Sequence, residues 1–290
     1  EAALEWIDTV VTRSAYLVLL LENAGVIQCV LEVFALSELF KVQIMQHPVL
    51  LEAFTAEHFG QPQSKADMAE ALSTAMASID VDDIEQHMET LRYFKLRMHL
   101  NIAVADVRGE LPIMNVSDHL TWLAEVIVAE VERISFAAMA KRYGYPEHCD
   151  ENQHGFAVIA YGKLGGIELS YRSDLDVVFL YAQAKGDTQG EKSLHHGQFY
   201  ARVGQRMLHI MQTPTHLGML YEPDMRLRPS GSAGLLVSSF EAFEDYQANK
   251  AWTWEHQSLV RARGVCRDAA VIKQFENLRM KQLGLKRECA

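Results

Sequence analysis

The chain has 290 residues, of which 49% are apolar and 22% charged, and its formal net charge is −11. These values exclude a disordered or collagen-like chain, because the apolar fraction is ample for a packed core and only 17 residues are glycine and 7 proline. The acidic balance argues against binding of long nucleic acids or anionic membranes, which favour a basic protein face. A small anionic ligand held by a few local groups remains compatible with this charge.

The cysteines and the apolar runs indicate the cellular compartment. The four cysteines are scattered without a CxxC pair, which favours reduced thiols in a cytoplasmic protein over a disulfide framework or a zinc site. The most apolar run, Ala15 to Leu21, is about a third of the length of a membrane span, and no signal-peptide pattern opens the chain. Because the first residue is Glu1 and not methionine, we expect a piece of a longer protein.

The first 150 residues contain four of the 17 glycines, and their apolar residues recur at helical spacing. Helices are predicted for Leu4–Met45 (two or three, ending before His47-Pro48), Met88–Val107 and Asp118–Arg142. Ser117 is the expected N-cap of the last helix and Gly144 its stop, whereas Glu57–Asp67 is predicted to be a loop. We therefore predict a mainly helical domain over residues 1–150.

Short β-prone runs and glycines characterise the remaining chain. Strands are predicted for Phe156–Tyr161, Leu175–Tyr181 and Met219–Leu227, and helices for His196–Met211 and, capped by Ser239, Phe240–Lys250. The segment Gly162–Leu169 between the first two strands is long enough for a turn and a short helix. Because strands alternate with helices, residues 151–290 are predicted to form a second domain, and the chain as a whole is of the α+β (α/β mixed) class.

Two aspartates at the start of the second predicted strand are the strongest indication of chemistry. Side chains alternate between the faces of a strand, so Asp174 and Asp176 point the same way, about 7 Å apart along the backbone, while Leu175 points into the core. Neighbouring carboxylates repel each other unless a cation lies between them. A hard divalent ion such as Mg²⁺, bound together with phosphate oxygens, fits this pattern. Taken alone, an Asp-x-Asp pair is more often a solvated strand edge.

Upstream glycines and a downstream acid extend the pattern. Gly165 and Gly166 allow a close approach of the backbone to phosphates. If the third predicted strand forms, Asp224 shares one face with Arg226 and Arg228, which offers a third metal carboxylate beside two phosphate-binding guanidinium groups. The alternative for this segment is a solvated face whose charges pair with each other. The combination of a strand, the Gly-Gly pair, an Asp-x-Asp at the start of the next strand and a later third acid indicates a phosphate- and metal-binding site much more specifically than any of its parts.

At these residues the chain resembles the nucleotidyltransferase superfamily, in which Gly-Gly or Gly-Ser is followed by a strand bearing Asp-x-Asp. It is more closely similar to the glutamine synthetase adenylyltransferase family, over nearly its whole length. The resemblance rests on Phe156–Asp176, Asp224–Gly234 and Ala251–Arg263, with further similarity in Ser14–Val49 and Leu111–Glu125. Within that family, Tyr161, Tyr171 and Trp252–Gln257 resemble the C-terminal, adenylylating unit and not the N-terminal, AMP-removing unit.

The resemblance implies a fold and a set of site residues. The fold is a helical domain followed by a DNA polymerase β-like nucleotidyltransferase domain, with a small mixed sheet flanked by helices and without the family's further C-terminal helices. Asp174 and Asp176 would bind Mg²⁺ together with the phosphates of ATP, and Asp224 would be the third catalytic and metal-binding acid. The implied nucleotide-binding residues are Gly165, Gly166 and Ser173, together with Arg226 and Arg228, which could instead pair with acids inside the fold.

The implied function is Mg²⁺-dependent transfer of AMP from ATP to a tyrosine hydroxyl of glutamine synthetase, with release of pyrophosphate, in the regulation of nitrogen assimilation. Glutamine synthetase is then the protein substrate and a PII-type protein the regulator of the full-length enzyme, with no nucleic acid or membrane partner. Two alternatives stay open: removal of AMP by phosphorolysis at the same site, and a catalytically silent module that binds glutamine synthetase or a regulator. The three intact acids argue against the silent module.

Overall fold

Helices make up the first half of the chain. The structure, a computed structural model, describes residues 6–7, 14–55, 59–182, 185–266 and 268–285. The helices of this half are α1 (Ser14–Glu22), α2 (Ala24–Leu36), α3 (Glu38–Gln46), a 3₁₀ helix (Pro48–Thr55), α4 (Lys65–Met76), α5 (Ile84–Val107) and α6 (Ile113–Tyr143). All the predicted helices are present in the described residues, and the part of the first prediction that falls on residues 4–5 and 8–13 lies outside them.

The ends of these helices differ in part from the predicted ones. Gly144 ends α6 with a φ of 79°, a left-handed conformation that glycine adopts without strain, as predicted. The predicted N-cap Ser117 is wrong, because α6 already begins after Pro112, whose fixed φ suits a helix entrance. The predicted loop before α4 ends at Ser64, whose hydroxyl forms a capping box with Asp67, and residues 56–58 lie outside the described part.

The second half contains a small sheet. Its elements are β1 (Phe156–Ala160), α7 (Gly162–Gly165), β2 (Leu175–Tyr181), α8 (His196–Gln212), β3 (Pro223–Asp224), β4 (Val237–Ser239), α9 (Phe240–Asn249), α10 (Thr253–Ser258), β5 (Arg263–Gly264) and α11 (Ala269–Leu283). The first two strands, the turn with a short helix, α8 and the Ser239-capped α9 are confirmed. The third predicted strand is wrong in length, because only two residues of Met219–Leu227 pair with the sheet.

Strand β2 is the centre of this mixed sheet. It pairs antiparallel with β1, which in turn pairs antiparallel with β5. On its other edge, β2 pairs in parallel with β3 near its start and with β4 near its end. The crossover through α8 makes these parallel pairings possible, and it brings Asp224 level with Asp176. The small mixed sheet flanked by helices is the α+β arrangement that the sequence predicts.

The helical half and the sheet share one hydrophobic core. Helix α6 packs against α4 and α5 on one side and against α8 on the other. Where α6 meets α8, the rings of Phe136 and Phe199 form an edge-to-face contact with centroids 5.4 Å apart. A smaller core forms around α2, α3 and the 3₁₀ helix, and Leu100 and Val104 of α5 belong to it. The domain boundary at residue 150 stays a prediction.

Among the described residues, no single helix is long and apolar enough to cross a membrane. In the same part of the chain, only the helix pair Ser14–Glu22 and Gly25–Ala35 reaches the required length and composition together, and this pair is bent by 102° at its break. Cys29 and Cys149 are free thiols, Cys266 is buried, and Cys289 lies outside the described residues.

Candidate active site

Three aspartates meet where β2 and β3 lie side by side. Asp176 is the second residue of β2, Asp174 directly precedes this strand, and Asp224 is paired with Asp176 across the parallel ladder. One carboxylate oxygen from each of the three lies within 4.8 Å of the other two. The two-residue strand β3 is therefore sufficient to bring the third acid to the first two.

The three carboxylates lie in unequal electrostatic environments. Burial, followed by the charges of Asp174 and Asp224, raises the pKa of Asp176. Hydrogen bonds from Arg226 lower the pKa of Asp224: its Nε lies 2.7 Å from Oδ2 and its backbone N lies 2.8 Å from Oδ1. The cluster is an all-oxygen donor set with more negative charge than its neighbours neutralise, which is the chemistry that Mg²⁺ prefers. These residues therefore fit a divalent metal ion.

Gly162 provides the space that Asp176 occupies. It follows β1 with a φ of 52°, and a Cβ atom at this position would overlap with Oδ2 of Asp176. The backbone N of the preceding residue, Tyr161, donates to the carbonyl of Asp176 at 2.8 Å, which fixes the distance between the two segments. This role of Gly162 was not predicted from the sequence, although a glycine directly after a buried strand is a signal of close backbone approach.

The predicted Gly-Gly pair packs against the segment that leads into β5. A Cβ on Gly165 would overlap with the carbonyl of Arg261, and one on Gly166 would lie 2.9 Å from the Nε of the same arginine. Arg263 donates to the carbonyls of Gly165 at 3.1 Å and of Leu164 at 2.9 Å. The need for glycine here is thus explained by protein contacts, and the predicted phosphate contact of the pair stays a prediction.

Glu125 of α6 completes the support of this turn. Its carboxylate is 4% exposed and forms ion pairs with Lys65 and Arg263. The ion pair of Glu125 with Arg263 was not predicted from the sequence, because no local pattern relates residues this far apart in the chain. Through Arg263, the helical half holds the Gly-Gly turn in place.

The other predicted nucleotide-binding residues have partners within the protein. Ser173 accepts a hydrogen bond from the backbone N of Ser170 at 3.0 Å. Arg226 is bound to Asp224 and otherwise exposed. Arg228 donates to carbonyls of the following turn, those of Met225 at 2.8 Å and Ser232 at 3.0 Å. The predicted common strand face of Asp224, Arg226 and Arg228 is wrong, because the strand ends at Asp224 and the chain then turns.

The tryptophan segment around α10 combines a buried acid with exposed rings. Glu255 accepts hydrogen bonds from the backbone N of Trp252 at 2.7 Å and from the hydroxyl of Tyr246 at 2.9 Å. These bonds fix the start of α10. The side chains of Trp252 and Trp254 are 70% and 55% exposed, so they contribute little to the core.

Comparison with known proteins identifies the family. Residues 27–278 match the family described as glutamate-ammonia ligase adenylyltransferase. The chain is 44% identical, over 99% of its length, to 30% of a bifunctional glutamine synthetase adenylyltransferase/adenylyl-removing enzyme of Pseudomonas putida. It is 46% identical, over 94% of its length, to the protein with the same name in Alteromonas mediterranea, and it covers 28% of that protein. It is 44% identical, over 97% of its length, to the protein with this name in Acinetobacter baylyi, and it covers 31% of that protein.

These relatives are much longer than the chain, which spans less than a third of each. The matched stretch nevertheless includes the three aspartates, the Gly-Gly turn and the tryptophan segment. The match over most of the chain and the geometry of its acidic cluster lead to the same assignment: the chain belongs to the glutamate-ammonia ligase adenylyltransferase family.

Proposed function

We propose that this chain is the adenylylating unit of its family, which transfers AMP from ATP to a tyrosine hydroxyl of glutamine synthetase. The observation that carries the proposal is the cluster of Asp174, Asp176 and Asp224, with ligand oxygens within 4.8 Å of one another. The relatives are named as adenylyltransferase and adenylyl-removing enzymes, and their names give glutamine synthetase as the target. The similarity of Tyr161, Tyr171 and Trp252–Gln257 to the adenylylating unit favours transfer over removal.

In the proposed reaction, the tyrosine oxygen attacks the α-phosphorus of ATP and a new oxygen–phosphorus bond forms. The bond from the α-phosphorus to the bridging oxygen breaks, and pyrophosphate leaves with the electron pair. Mg²⁺ held by the three aspartates would neutralise charge on the phosphates. Asp224 is ionised through its bonds to Arg226 and accepts the hydroxyl proton in this scheme.

The acidic cluster alone is equally compatible with the removal of AMP. The relatives are bifunctional by name, so removal of AMP from a modified tyrosine by phosphate is the second candidate. Phosphate then attacks the phosphorus of the tyrosyl-AMP bond, ADP forms, and the tyrosine hydroxyl regains a proton. The same three acids would hold the metal ion in this reaction.

Partner and location complete the proposal. Glutamine synthetase is the proposed protein substrate, and a PII-type protein is the proposed regulator of the longer enzyme to which such a unit belongs. Neither nucleic acid nor membrane enters the proposed reaction. Because the reaction consumes ATP and acts on an enzyme of nitrogen assimilation, we place it in the cytoplasm.

One experiment distinguishes these functions. The chain is incubated with Mg²⁺, ATP labelled at the α-phosphate and glutamine synthetase, beside its Asp176→Asn variant. Label on the synthetase that is absent with the variant supports AMP transfer. If the wild-type chain adds no label but removes AMP from modified synthetase in the presence of phosphate, the removal reaction is correct. Binding of the synthetase without either activity would support a silent module.

A further inference from the structure

The cleft beside the acidic cluster has a cationic wall. It encloses about 420 Å³ and extends from Asp174, next to Ser173, to residues of the helical half. Three cations line it, Lys95, Lys163 and Arg172, against the two acids Asp174 and Glu222. A site that joins metal-type carboxylates to an excess of positive side chains is complementary to a polyanion that also binds a metal ion.

Lys95 is the cation that the helical half contributes to this cleft. Its Nζ donates to the carbonyl of Leu220 and lies 4.0 Å from the centroid of the Tyr221 ring. No carboxylate of the described residues forms an ion pair with it. Burial, with a further contribution from the charge of Arg92, lowers the pKa of Lys95 to about 8. The ammonium group therefore lies partly desolvated in the cleft, and the protein does not neutralise its charge.

Arg92, one turn earlier on α5, is a cation with a structural role and serves as a comparison for Lys95. Its guanidinium donates to the carbonyls of Met88 at 2.9 Å, Ile210 at 2.9 Å and Gly218 at 2.8 Å. Arg92 thereby joins α5 to the end of α8 and uses its donors on the backbone. An ammonium group has three donors, and the contact with Leu220 accounts for one of those of Lys95. The remaining donors are available to a ligand in the cleft.

The other two cations approach the cleft from the predicted nucleotide-binding segments. Lys163 lies on α7, between Gly162 and the Gly-Gly pair, and Arg172 directly precedes Ser173. Both side chains are exposed, and neither forms an ion pair with the described residues. Lys95 and the Lys163–Arg172 stretch, which are far apart in sequence, thus bring positive charge to the same cleft. A chain of phosphates with one end at the aspartates would place its other phosphates among these cations.

We propose that Lys95 binds the pyrophosphate portion of ATP, the β- and γ-phosphates, and that the helical half takes part in the reaction through this residue. The inference rests on the proposed AMP transfer. When the bond between the α-phosphorus and the bridging oxygen breaks, negative charge moves onto the pyrophosphate. An ammonium group fixed beside that charge stabilises the leaving group. Lys95 is thus a binding residue for the leaving group.

The test compares two ligands: Mg²⁺-pyrophosphate, which represents the pyrophosphate portion of ATP, and AMP, which lacks it. Binding of Mg²⁺-pyrophosphate and of AMP is measured by calorimetry for the wild-type chain, Lys95→Met and Lys95→Arg. Lys141→Met is the control, since Lys141 is an exposed lysine of the helical half that pairs with Asp82. We expect Lys95→Met to weaken pyrophosphate binding at least tenfold and AMP binding less than twofold. Lys95→Arg should retain part of the affinity, and the KM for ATP should rise in Lys95→Met while the KM for glutamine synthetase does not.

A second measurement needs only the wild-type chain. Amine-reactive labelling, mapped by mass spectrometry, should modify Lys95, and Mg²⁺-pyrophosphate should protect it while AMP does not. Unchanged pyrophosphate affinity in Lys95→Met, or labelling of Lys95 that pyrophosphate does not reduce, overturns the inference. If the wild-type chain still transfers AMP in that case, the proposed function stands without Lys95. If the wild-type chain binds neither Mg²⁺-ATP nor Mg²⁺-pyrophosphate, both proposals are wrong.

Discussion

Two groups of carboxylates in this molecule differ in how their charge is compensated. Glu125 is deeply buried between helices and strand β5, and two cations, Lys65 and Arg263, neutralise it. Of the aspartates of the acidic cluster, Asp174 lines the cleft, and Arg226 forms an ion pair with Asp224. Among the described residues, neither Asp174 nor Asp176 forms an ion pair.

This difference separates a structural charge from a binding charge. A buried, fully paired carboxylate leaves nothing for a ligand, and removing its charge leaves its two cations without an acidic partner. A partly buried carboxylate cluster with excess negative charge is unfavourable in the ligand-free protein: burial first, and then repulsion from Asp174 and Asp224, raise the pKa of Asp176. A bound cation relieves that repulsion. Neutralising one residue from each group should therefore change stability in opposite directions.

The largest expected effect is that of Asp176→Asn on activity. The substitution removes one of three metal-binding carboxylates, and we expect AMP transfer to fall by at least about 100-fold. Without metal, the melting temperature should stay equal or rise slightly, because the half-buried charge of Asp176 and its repulsion from Asp174 and Asp224 are lost. Mg²⁺ should raise the melting temperature of the wild-type chain by binding to the folded state and leave that of the variant unchanged.

The control for this prediction is Asp245→Asn. Asp245 is an exposed acid that pairs with Lys250 at 3.5 Å. This variant should keep both activity and the Mg²⁺-dependent shift. Equal Mg²⁺-dependent shifts in Asp176→Asn and the wild-type chain would show that the acidic cluster is not the metal site.

The second prediction tests the space that Gly162 provides for the acidic cluster. Gly162→Ala adds a Cβ where Oδ2 of Asp176 lies, so we expect at least a tenfold loss of AMP transfer and a weaker Mg²⁺-dependent shift in melting temperature. Gly109→Ala is a matched control, because Gly109 also has a positive φ, 69°, but a Cβ there would meet nothing within 4 Å. Both variants carry about 1–2 kcal/mol of backbone strain. If Gly162→Ala is no less active than Gly109→Ala, the close approach to Asp176 has no functional role.

Local sequence patterns predicted the elements of the site better than its contacts. Strand β2 has the predicted bounds, Leu175–Tyr181, because a short apolar run next to turn residues has few alternatives to a buried strand. The three aspartates could be grouped because two lie at the start of one strand and the third lies in a motif known from the family. The predicted third strand was too long, since alternating charged residues did not reveal that Arg228 would bind backbone carbonyls in a turn.

Long-range contacts had no signal in the sequence. Glu125 and Arg263 are far apart in the chain, and only the packing of α6 against the sheet region brings them together. Lys95 lies on α5 among apolar positions, where its helical spacing predicts nothing about the loop that carries Leu220. Even Gly165, which was identified as functional, is held close to Arg261 by the tertiary fold. Such residues become visible when the packing of the two halves is known.

The third prediction concerns Glu125, the buried and fully paired carboxylate. Glu125→Gln removes the charge between Lys65 and Arg263, and we expect a loss of about 2–4 kcal/mol in the free energy of unfolding, measured by urea denaturation. Asp82→Asn is the control, because Asp82 is 69% exposed and pairs with Lys141 at 2.5 Å. It should lose less than about 1 kcal/mol, and salt should screen this smaller effect. Equal losses in the two variants would show that the buried ion pairs of Glu125 stabilise the fold no more than an exposed pair does.

The smallest predicted effect concerns the opposite case, a desolvated cation without an acidic partner. The pKa of Lys95 is lowered to about 8 in the folded chain, whereas an unfolded lysine titrates near 10.4. Protonation of Lys95 therefore destabilises the folded state below about pH 8, and this penalty disappears as the pH rises towards 10. The melting temperature of the wild-type chain minus that of Lys95→Met, measured without ligand or metal, should increase between pH 7 and pH 10.

Three titratable groups near Lys95 do not contribute to this pH dependence between pH 7 and pH 10. Burial raises the pKa of Tyr171 and Tyr221 above the window and lowers the pKa of His99 below it, so none of these three titrates there. Lys141→Met provides the control, because the hydrogen bond to Asp82 raises the pKa of Lys141 and its charge persists across the range. A difference that stays flat or falls with pH would show that the ammonium group of Lys95 is solvated in the free protein. Its charge would then be no more available to a bound phosphate than that of any surface lysine.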